Sequence, residues 1–213
     1  MEPLLVVLKG LPLTLIVTVG AFLIGAVLGL PLSLGLRSKV LPLRLLCRLV
    51  VDLLRGIPMI VWLFVLKFGL TSPSLRLTSL EAALLGLGLI SAGYLAEIYR
   101  GGLQAVPRGQ YEAAQALGLS GGISFIRVVA PQAVRVVSPT IATYLIGLLK
   151  NSSIASTIIV GEMVFQAQAY ARQNPSIAGV LPYAIAGLVY IIISVPIAML
   201  SRSLDERLRK VVV

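Results

Sequence analysis

The sequence predicts an all-α membrane protein, and three observations carry that prediction. Hydrophobic residues make up 58 % of the 213 residues, and charged residues only 12 %. The mean hydropathy is +0.99, and the apolar share exceeds that of an average soluble domain. Residues 10–36 carry no charge over 27 positions, enough to cross about 30 Å of hydrocarbon at about 1.5 Å per helical residue. The expected solvent is therefore a lipid bilayer.

Five segments are predicted to span the membrane. They are residues 10–36, 49–70, 80–99, 133–149 and 177–200. The first is too long for the core of a signal peptide, so we expect it to be retained. The second is interrupted by Asp52, Arg55 and Pro58, which predicts a kinked entry that lies partly along the interface. Arg55 is expected to be a cytoplasmic anchor beside that kink.

The basic residues predict the orientation. Arg37, Lys39, Arg44 and Arg48 follow the first span closely, which indicates a cytoplasmic turn. With five spans, thirteen Lys and Arg residues lie on the cytoplasmic side and five on the outer side. We therefore expect a multi-pass membrane protein, with its N-terminus outside and its C-terminus in the cytoplasm.

Several function classes are disfavoured by what the sequence lacks. The net charge of +10 is explained by groups flanking the spans, so no nucleic-acid partner is expected. The chain has no His and only one Cys, Cys47, which argues against a metal site and against catalysis by Ser–His or Cys–His pairs. It also has no phosphate-binding Gly-rich motif of an ATPase. We expect one domain over residues 1–213, with no cofactor and no enzymatic activity of its own.

The loop between the third and fourth spans, about residues 101–131, is long and rises in polarity. Connections between membrane helices are usually short, so this one needs a reason. Residues 110–117 have the pattern of a short amphipathic helix.

The same loop contains the string EAAQALGLSGGISFIRVVAP. It resembles the EAA loop of ABC importer permeases, in which Glu-Ala-Ala is followed after three residues by Gly and later by Pro. Here these positions are Glu112, Ala113, Ala114, Gly118 and Pro131. Val128 and Ala130 stand where the family has Ile and Leu, while the spacing is kept.

The flanking residues resemble one branch of that family, the polar amino acid permeases. These residues are the stretches ISAGYLAEIYRGGLQAVPRGQYEAAQALGLS, LRGIPMIVWLFVLKFGL and LLKNSSIAS, so that the resemblance covers nearly the whole chain. It implies a location in the bacterial inner membrane and the type I ABC importer permease fold, with five transmembrane helices and a cytoplasmic coupling helix. It also implies four partners: a dimer of ATPase subunits that binds ATP and Mg²⁺, a second permease subunit, identical or related, an extracellular solute-binding protein, and an amino acid as substrate.

The resemblance implies that the helix in the loop couples this chain to the ATPase. Small residues would let an ATPase cleft approach the helix closely, and a glycine would end it. The residues implied are Gln110, Glu112, Ala113, Ala114 and Gly118.

Two residues of the third span are candidates for the substrate pathway. Glu97 is a carboxylate near the inner end of an apolar helix, so it needs a partner. It either faces the pathway or forms an ion pair with Arg100, one turn away. Tyr94, one turn before Glu97, either lines the pathway or packs in the core.

A polar cluster follows the fourth apolar run, at Lys150, Asn151, Ser152 and Ser153. It either caps the outer end of that span or lies deeper in the membrane and faces the pathway. The family resemblance favours the deeper position. Glu162, in the next segment, is expected to be a solvated surface charge.

Functions from other classes remain as alternatives. An ion or solute channel needs a water-lined pore but no large cytoplasmic docking loop. A secondary transporter without ATPase coupling would be expected to show inverted half-repeats, which this sequence lacks. An intramembrane enzyme would need a paired arrangement of catalytic side chains, and none is evident.

Overall fold

A computed structural model describes residues 2–69, 76–175 and 179–209 and contains ten α-helices within those ranges. They are α1 Pro3–Lys9, α2 Leu11–Leu36, α3 Leu41–Gly56, α4 Met59–Phe64, α5 Ser79–Ala105, α6 Arg108–Ala116, α7 Gly121–Ser124, α8 Ala130–Asn151, α9 Met163–Gln173 and α10 Leu181–Arg209. A π-helical segment, Val65–Gly69, continues α4, and a second one, Phe125–Val129, leads into α8. A 3-10 segment, Ser152–Ile158, follows α8. The described residues include no β-strand.

Among the described residues, four helical stretches are long and apolar enough to cross a membrane, and a bent pair can supply a fifth crossing. The four stretches are Pro3–Leu36, Ser79–Ala105, Gly121–Ile158 and Leu181–Met199. The bent pair is α3 with the helix Met59–Gly69, which meet at 97°. The kink expected in the second span is therefore confirmed, and it lies at Ile57 and Pro58, between the two helices.

The cytoplasmic turn expected over residues 37–48 is much shorter than predicted. Helix α3 already begins at Leu41, because Pro42 in its first turn has a backbone angle suited to a helix start. Its buried residues Cys47, Val51 and Leu54 recur at helical spacing and pack towards α2 and α5. A charge-rich stretch thus forms an amphipathic helix.

Helices α2 and α5 form the centre of the bundle and run parallel to each other. Gly25 of α2 faces Ser91 of α5, and Gly29 faces Ala96 further along both helices. A side chain at Gly25 would come within 2.8 Å of the Ser91 backbone, so glycine allows the close approach of the two helices. A capping box at Thr78 starts α5, where Glu81 accepts a 2.7 Å hydrogen bond from the Thr78 amide.

Helix α8 lies between α5 and α10 and is antiparallel to both. Gly102 of α5 packs against Ala133 and Val137 near the start of α8. On the other side, the Ser201 hydroxyl of α10 donates a 3.2 Å hydrogen bond to the Pro139 carbonyl. This arrangement leaves one face of α8 without a partner among the described residues.

The unpartnered surfaces of the long helices differ in polarity. On α2 and α10 they are formed by exposed aliphatic side chains such as Leu23, Val27 and Ile191. On α8 the exposed positions include Thr140, Thr143 and Lys150, which repeat at helical spacing. Because polar groups in a membrane avoid lipid, the face of α8 is the one suited to an aqueous or protein environment.

Candidate functional site

Helix α6 is the short helix that the sequence predicts over residues 110–117, and it spans Arg108–Ala116. It begins two residues earlier than expected because Pro107 has extended backbone angles and stands directly before the helix. Leu119 donates a 3.1 Å hydrogen bond to the Ala114 carbonyl, and Gly118 donates one of 2.9 Å to the Gln115 carbonyl. Gly118 has φ +78°, so the predicted helix end at a glycine is confirmed.

The two alanines of α6 have different surroundings. Ala113 is exposed, whereas Ala114 is only 4 % exposed. Helix α6 packs against α7 and the π-helical segment Phe125–Val129. The expectation that both alanines allow a close approach of a partner is therefore corrected: the small side chain of Ala114 serves packing inside the chain.

The polar side chains of α6 lie on its accessible surface. Glu112 is exposed and, within the part of the chain that the structure describes, has no hydrogen-bond or ion-pair partner. Gln110 is exposed and accepts a 3.1 Å hydrogen bond from the Gln132 amide group, at the start of α8. A partner protein could thus reach both side chains, and Gln110 links α6 to a membrane helix.

Glu97 is held by guanidinium groups from two helices. Its carboxylate lies 2.6 Å from Arg48 of α3, 2.6 Å from Arg100 of α5 and 3.9 Å from Arg55. Its side chain is only 15 % exposed. The local ion pair with Arg100 therefore forms, and a second pair with Arg48, 49 residues away in the chain, ties α3 to α5. No local pattern in the sequence indicates that second pair.

Tyr94 belongs to an aromatic pair beside this ion-pair cluster. Its ring stacks on Tyr144 of α8, with ring centres 5.6 Å apart. The Arg55 guanidinium lies 5.0 Å from the centre of the Tyr94 ring on the α3 side. The Tyr144 hydroxyl is 2.7 Å from that of Ser91. Arg55 is thus more than an anchor beside a kink: it connects the bent second span to α5.

Lys150 stands at the last turn of α8, beside the middle of the apolar stretch of α10. It lines a groove of about 410 Å³ together with Tyr190, which comes nine residues after the start of α10 at Leu181. Nine helical residues correspond to about 13 Å along the helix axis, so Tyr190 and the neighbouring Lys150 lie well away from the end of α10. Lys150 is exposed and, among the described residues, its ammonium group has neither an ion-pair nor a hydrogen-bond partner.

The three polar residues after Lys150 continue the helix as a tighter turn. Asn151 ends α8 and is half-buried. Ser152 is buried and donates a 2.7 Å hydrogen bond to the Leu149 carbonyl. Ser153 donates one of 2.8 Å to the Lys150 carbonyl. Both hydroxyls thus satisfy backbone groups where the α-helix changes to a 3-10 helix.

Glu162 is buried, which corrects the expectation of a solvated surface charge. Its side chain is 0 % exposed and accepts hydrogen bonds from the amides of Val164 and Phe165, at 3.0 and 2.8 Å, where it caps α9. The Tyr190 hydroxyl donates a third at 2.9 Å. The available signal was an acidic residue directly before a helix, since negative charge is favoured at a helix N-terminus.

A metal site is not evident in the described ranges 2–69, 76–175 and 179–209, where no cluster of Cys, Asp and Glu could hold an ion.

The fold and these sites together define a class. In the described part of the chain, apolar helices supply four crossings, or five with the bent pair, and an exposed amphipathic helix lies in the loop between the α5 and α8 crossings. This is the architecture of the membrane subunit of a transport system. The chain belongs to the family of binding-protein-dependent transport system inner membrane components, whose model matches residues 21–210.

Two relatives of the chain are named as amino acid permeases. The chain is 38 % identical to the "Probable amino-acid ABC transporter permease protein YckA" of Bacillus subtilis, over 76 % of this chain and 72 % of that protein. It is 33 % identical to the "Arginine transport system permease protein ArtQ" of the same organism, over 95 % of this chain and 92 % of that protein. Family membership makes the chain a transport subunit rather than an enzyme.

Two solved structures share the fold. One, described as a crystal structure of an amino acid ABC transporter with histidines, has a TM-score of 0.85 at 30 % identity and covers 95 % of this chain and 94 % of its own. The other, of the MetNI methionine ABC transporter in inward-facing conformations, has a TM-score of 0.78 at 21 % identity, with 99 % of each chain covered, and shows the fold alone. The predicted all-α fold of an importer permease is confirmed.

Proposed function

We propose that this chain is the membrane-spanning subunit of an ATP-driven importer of polar amino acids, with ATP hydrolysed by a separate subunit. The observation that carries the substrate class is the set of relatives, which includes permeases named for amino acids in general, for arginine and for cystine. ATP and Mg²⁺ are bound by the partner ATPase, and this chain uses no cofactor.

The α6 helix is the proposed contact with the ATPase. Gln110, Glu112 and Ala113 are exposed on it and available to a partner. Ala114 and Gly118 act indirectly, because the first packs α6 onto its own loop and the second ends the helix. Movement of the ATPase would thus reach α8 through the π-helical segment that packs under α6.

The substrate pathway is proposed to lie along the polar face of α8, at the centre of a dimer formed with a second, identical or related permease subunit. Lys150 and the break at Asn151, Ser152 and Ser153 are supported as pathway residues by their position beside the middle of the apolar stretch of α10. In a low-dielectric channel, a substrate carboxylate needs cationic or hydrogen-bonding groups. Lys150, exposed and unpaired among the described residues, could provide one.

At the inner end of the proposed pathway lie Tyr94 and Glu97. The carboxylate of Glu97 is neutralised by three arginines, so it would act on a substrate amino group only if one of these pairs opened. Tyr94 is half-buried between Arg55 and Tyr144. A solute-binding protein would deliver the substrate from the outer side, and the ATPase would bind on the cytoplasmic side.

Transport by the reconstituted complex tests the proposal. The chain, its cognate ATPase and its solute-binding protein are placed in liposomes, and uptake of a panel of radiolabelled amino acids is measured with and without ATP. Uptake that requires ATP and all three proteins is expected. Passive flux through the chain alone would instead support a channel, and uptake driven only by an ion gradient would support a secondary transporter.

Cysteine cross-linking tests the contact at α6. The native Cys47 is buried and is first replaced by Ala to give a cysteine-free background. Ala113→Cys is expected to cross-link to a cysteine in the ATPase cleft, whereas the matched Ala114→Cys, one residue away but buried, is not. An assembled complex without a cross-link at Ala113 would place the ATPase elsewhere on the chain.

A further inference from the structure

A groove of about 700 Å³ opens between the inner end of α2, the last turn of α5 and the start of α6. Its apolar wall includes Leu34 of α2, Leu103 of α5 and Phe125 of the π-helical segment. Leu34 is 51 % exposed, so part of this wall is open from outside. The groove thus extends from the apolar surface of a membrane helix to the polar helix α6.

The polar side of the groove carries a net positive charge. Arg37 directly follows α2, and Arg108 is the first residue of α6; both line the groove and both are exposed. In the described part of the chain, neither guanidinium has an ion-pair or hydrogen-bond partner. Glu112 is the one carboxylate among the lining residues and forms no ion pair with either arginine.

We propose that this groove binds the head group of an anionic phospholipid from the cytoplasmic leaflet. Its phosphate would lie at Arg37 and Arg108, and an acyl chain would follow the exposed leucines Leu34 and Leu30 along α2. Basic pockets on the cytoplasmic side of membrane helices suit such head groups. A soluble phosphate would match the two guanidinium groups but leave the apolar wall uncovered, whereas a phospholipid matches both.

A lipid in this groove would connect two separate elements of the fold. Arg37 belongs to the end of α2, and Arg108 belongs to the helix proposed to contact the ATPase. A phosphate held by both arginines would tether α6 to the first span through charge-assisted hydrogen bonds. The lipid is therefore expected to stabilise the position of α6. The assignment of the lipid to the cytoplasmic leaflet rests on the proposed orientation of the chain. The site itself does not depend on which substrate is carried.

The test measures phosphatidylglycerol binding to the purified transporter complex in phosphatidylcholine nanodiscs. Retention of the lipid is followed by native mass spectrometry, and the thermal midpoint of unfolding is recorded as phosphatidylglycerol is added. Removal of both charges by Arg37→Gln with Arg108→Gln is expected to weaken binding about 25-fold, since each basic residue near an anionic leaflet contributes roughly fivefold. The phosphatidylglycerol-dependent rise of the midpoint should disappear.

The matched control is the pair Arg127→Gln with Arg135→Gln. Both arginines are exposed and lie outside the groove lining, and the two substitutions remove the same amount of charge as the test pair. This pair should keep wild-type lipid binding, and Arg37→Lys with Arg108→Lys should keep most of it.

Three results would overturn the proposal. Equal loss of lipid binding in the two glutamine pairs would show that the effect comes from the overall charge and not from this site. Equal stabilisation by inorganic phosphate would overturn the lipid as ligand. Loss of the ATPase from the Arg37→Gln, Arg108→Gln complex in either lipid would show that the groove is a protein contact.

Discussion

Glu97 illustrates, at the scale of single residues, how a carboxylate is accommodated in an apolar helix. It is 15 % exposed, and the arginines around it come from α3 and from its own helix. A carboxylate in such a place needs paired charges, because desolvation without a partner costs several kcal/mol. The pair with Arg48 also gives the residue a structural role, since it connects the bent second span to α5.

Replacement of Glu97 by Gln should lower the free energy of unfolding by about 1–3 kcal/mol, because it leaves two close guanidinium groups without their anion. The control is Asp52→Asn. Asp52 is 55 % exposed and, among the described residues, pairs only with Arg48, at 3.2 Å, so its loss should cost less than about 1 kcal/mol. Denaturant titration of the detergent-solubilised chain measures both.

Uptake by the Glu97→Gln variant separates structural from transport roles. Normal uptake and substrate preference per assembled transporter, with reduced stability, would make Glu97 structural only. Unchanged stability with lost uptake would contradict the ion-pair account.

Tyr190 and Glu162 form a second buried polar contact, between α10 and the start of α9. Tyr190→Phe removes the hydroxyl that donates to Glu162 at 2.9 Å and should destabilise the chain by about 1–2 kcal/mol. Tyr183→Phe, on the exposed face of the same helix, should change stability by less than about 0.5 kcal/mol. The thermal midpoints of the two variants are compared, and equal midpoints would argue against the buried contact.

At the scale of the element, helix α6 owes its end to one glycine. Gly118 has φ +78°, a conformation that costs an alanine about 1 kcal/mol. Gly118→Ala is therefore expected to fray the end of α6 and to reduce ATP-driven uptake several-fold while the complex still assembles. Gly122→Ala is the control, because Gly122 lies in α7, has open space around its Cα and lacks a positive φ. Equal uptake by both variants would show that the helix end does not matter for coupling.

The pair of helices α2 and α5 depends on glycines for its spacing. In Gly25→Ala the new methyl group would collide with Ser91, including its backbone, so α2 must shift or separate. We expect a loss of stability of about 1–3 kcal/mol, as for other overpacked contacts. Gly187→Ala, on a surface of α10 with open space, should be neutral or slightly stabilising. Fluorescence-detected gel filtration after a heat step compares the two, and equal survival would contradict the close packing.

At the scale of the whole molecule, the charge distribution predicts the orientation in the membrane. Thirteen basic residues on one side and five on the other predict a cytoplasmic C-terminus when the bent pair counts as one crossing. A reporter active only in the cytoplasm, fused after Val213, should be active, and a reporter that needs export should be silent. The reverse result would mean that α3 and the helix Met59–Gly69 form a re-entrant loop or that the orientation is inverted.

The sequence by itself determined the class of solvent, the approximate spans and the helix α6, because each depends on local composition or spacing. Uncharged runs of membrane length, basic clusters and a helix-ending glycine can be read without knowledge of neighbours. The relation to importer permeases could be recognised in the same way, since Glu112, Ala113, Ala114 and Gly118 keep the family spacing.

Only the tertiary structure decided which groups face each other. The contact of Arg48 with Glu97, the stacking of Tyr144 on Tyr94 and the bond between Tyr190 and Glu162 join residues 28 to 50 positions apart. It also decided that Ala114 is buried while Ala113 is exposed, although both are alanines on one helix. The physical reason is that burial and pairing depend on which helix faces pack together, and local sequence carries little information about the partner of a face.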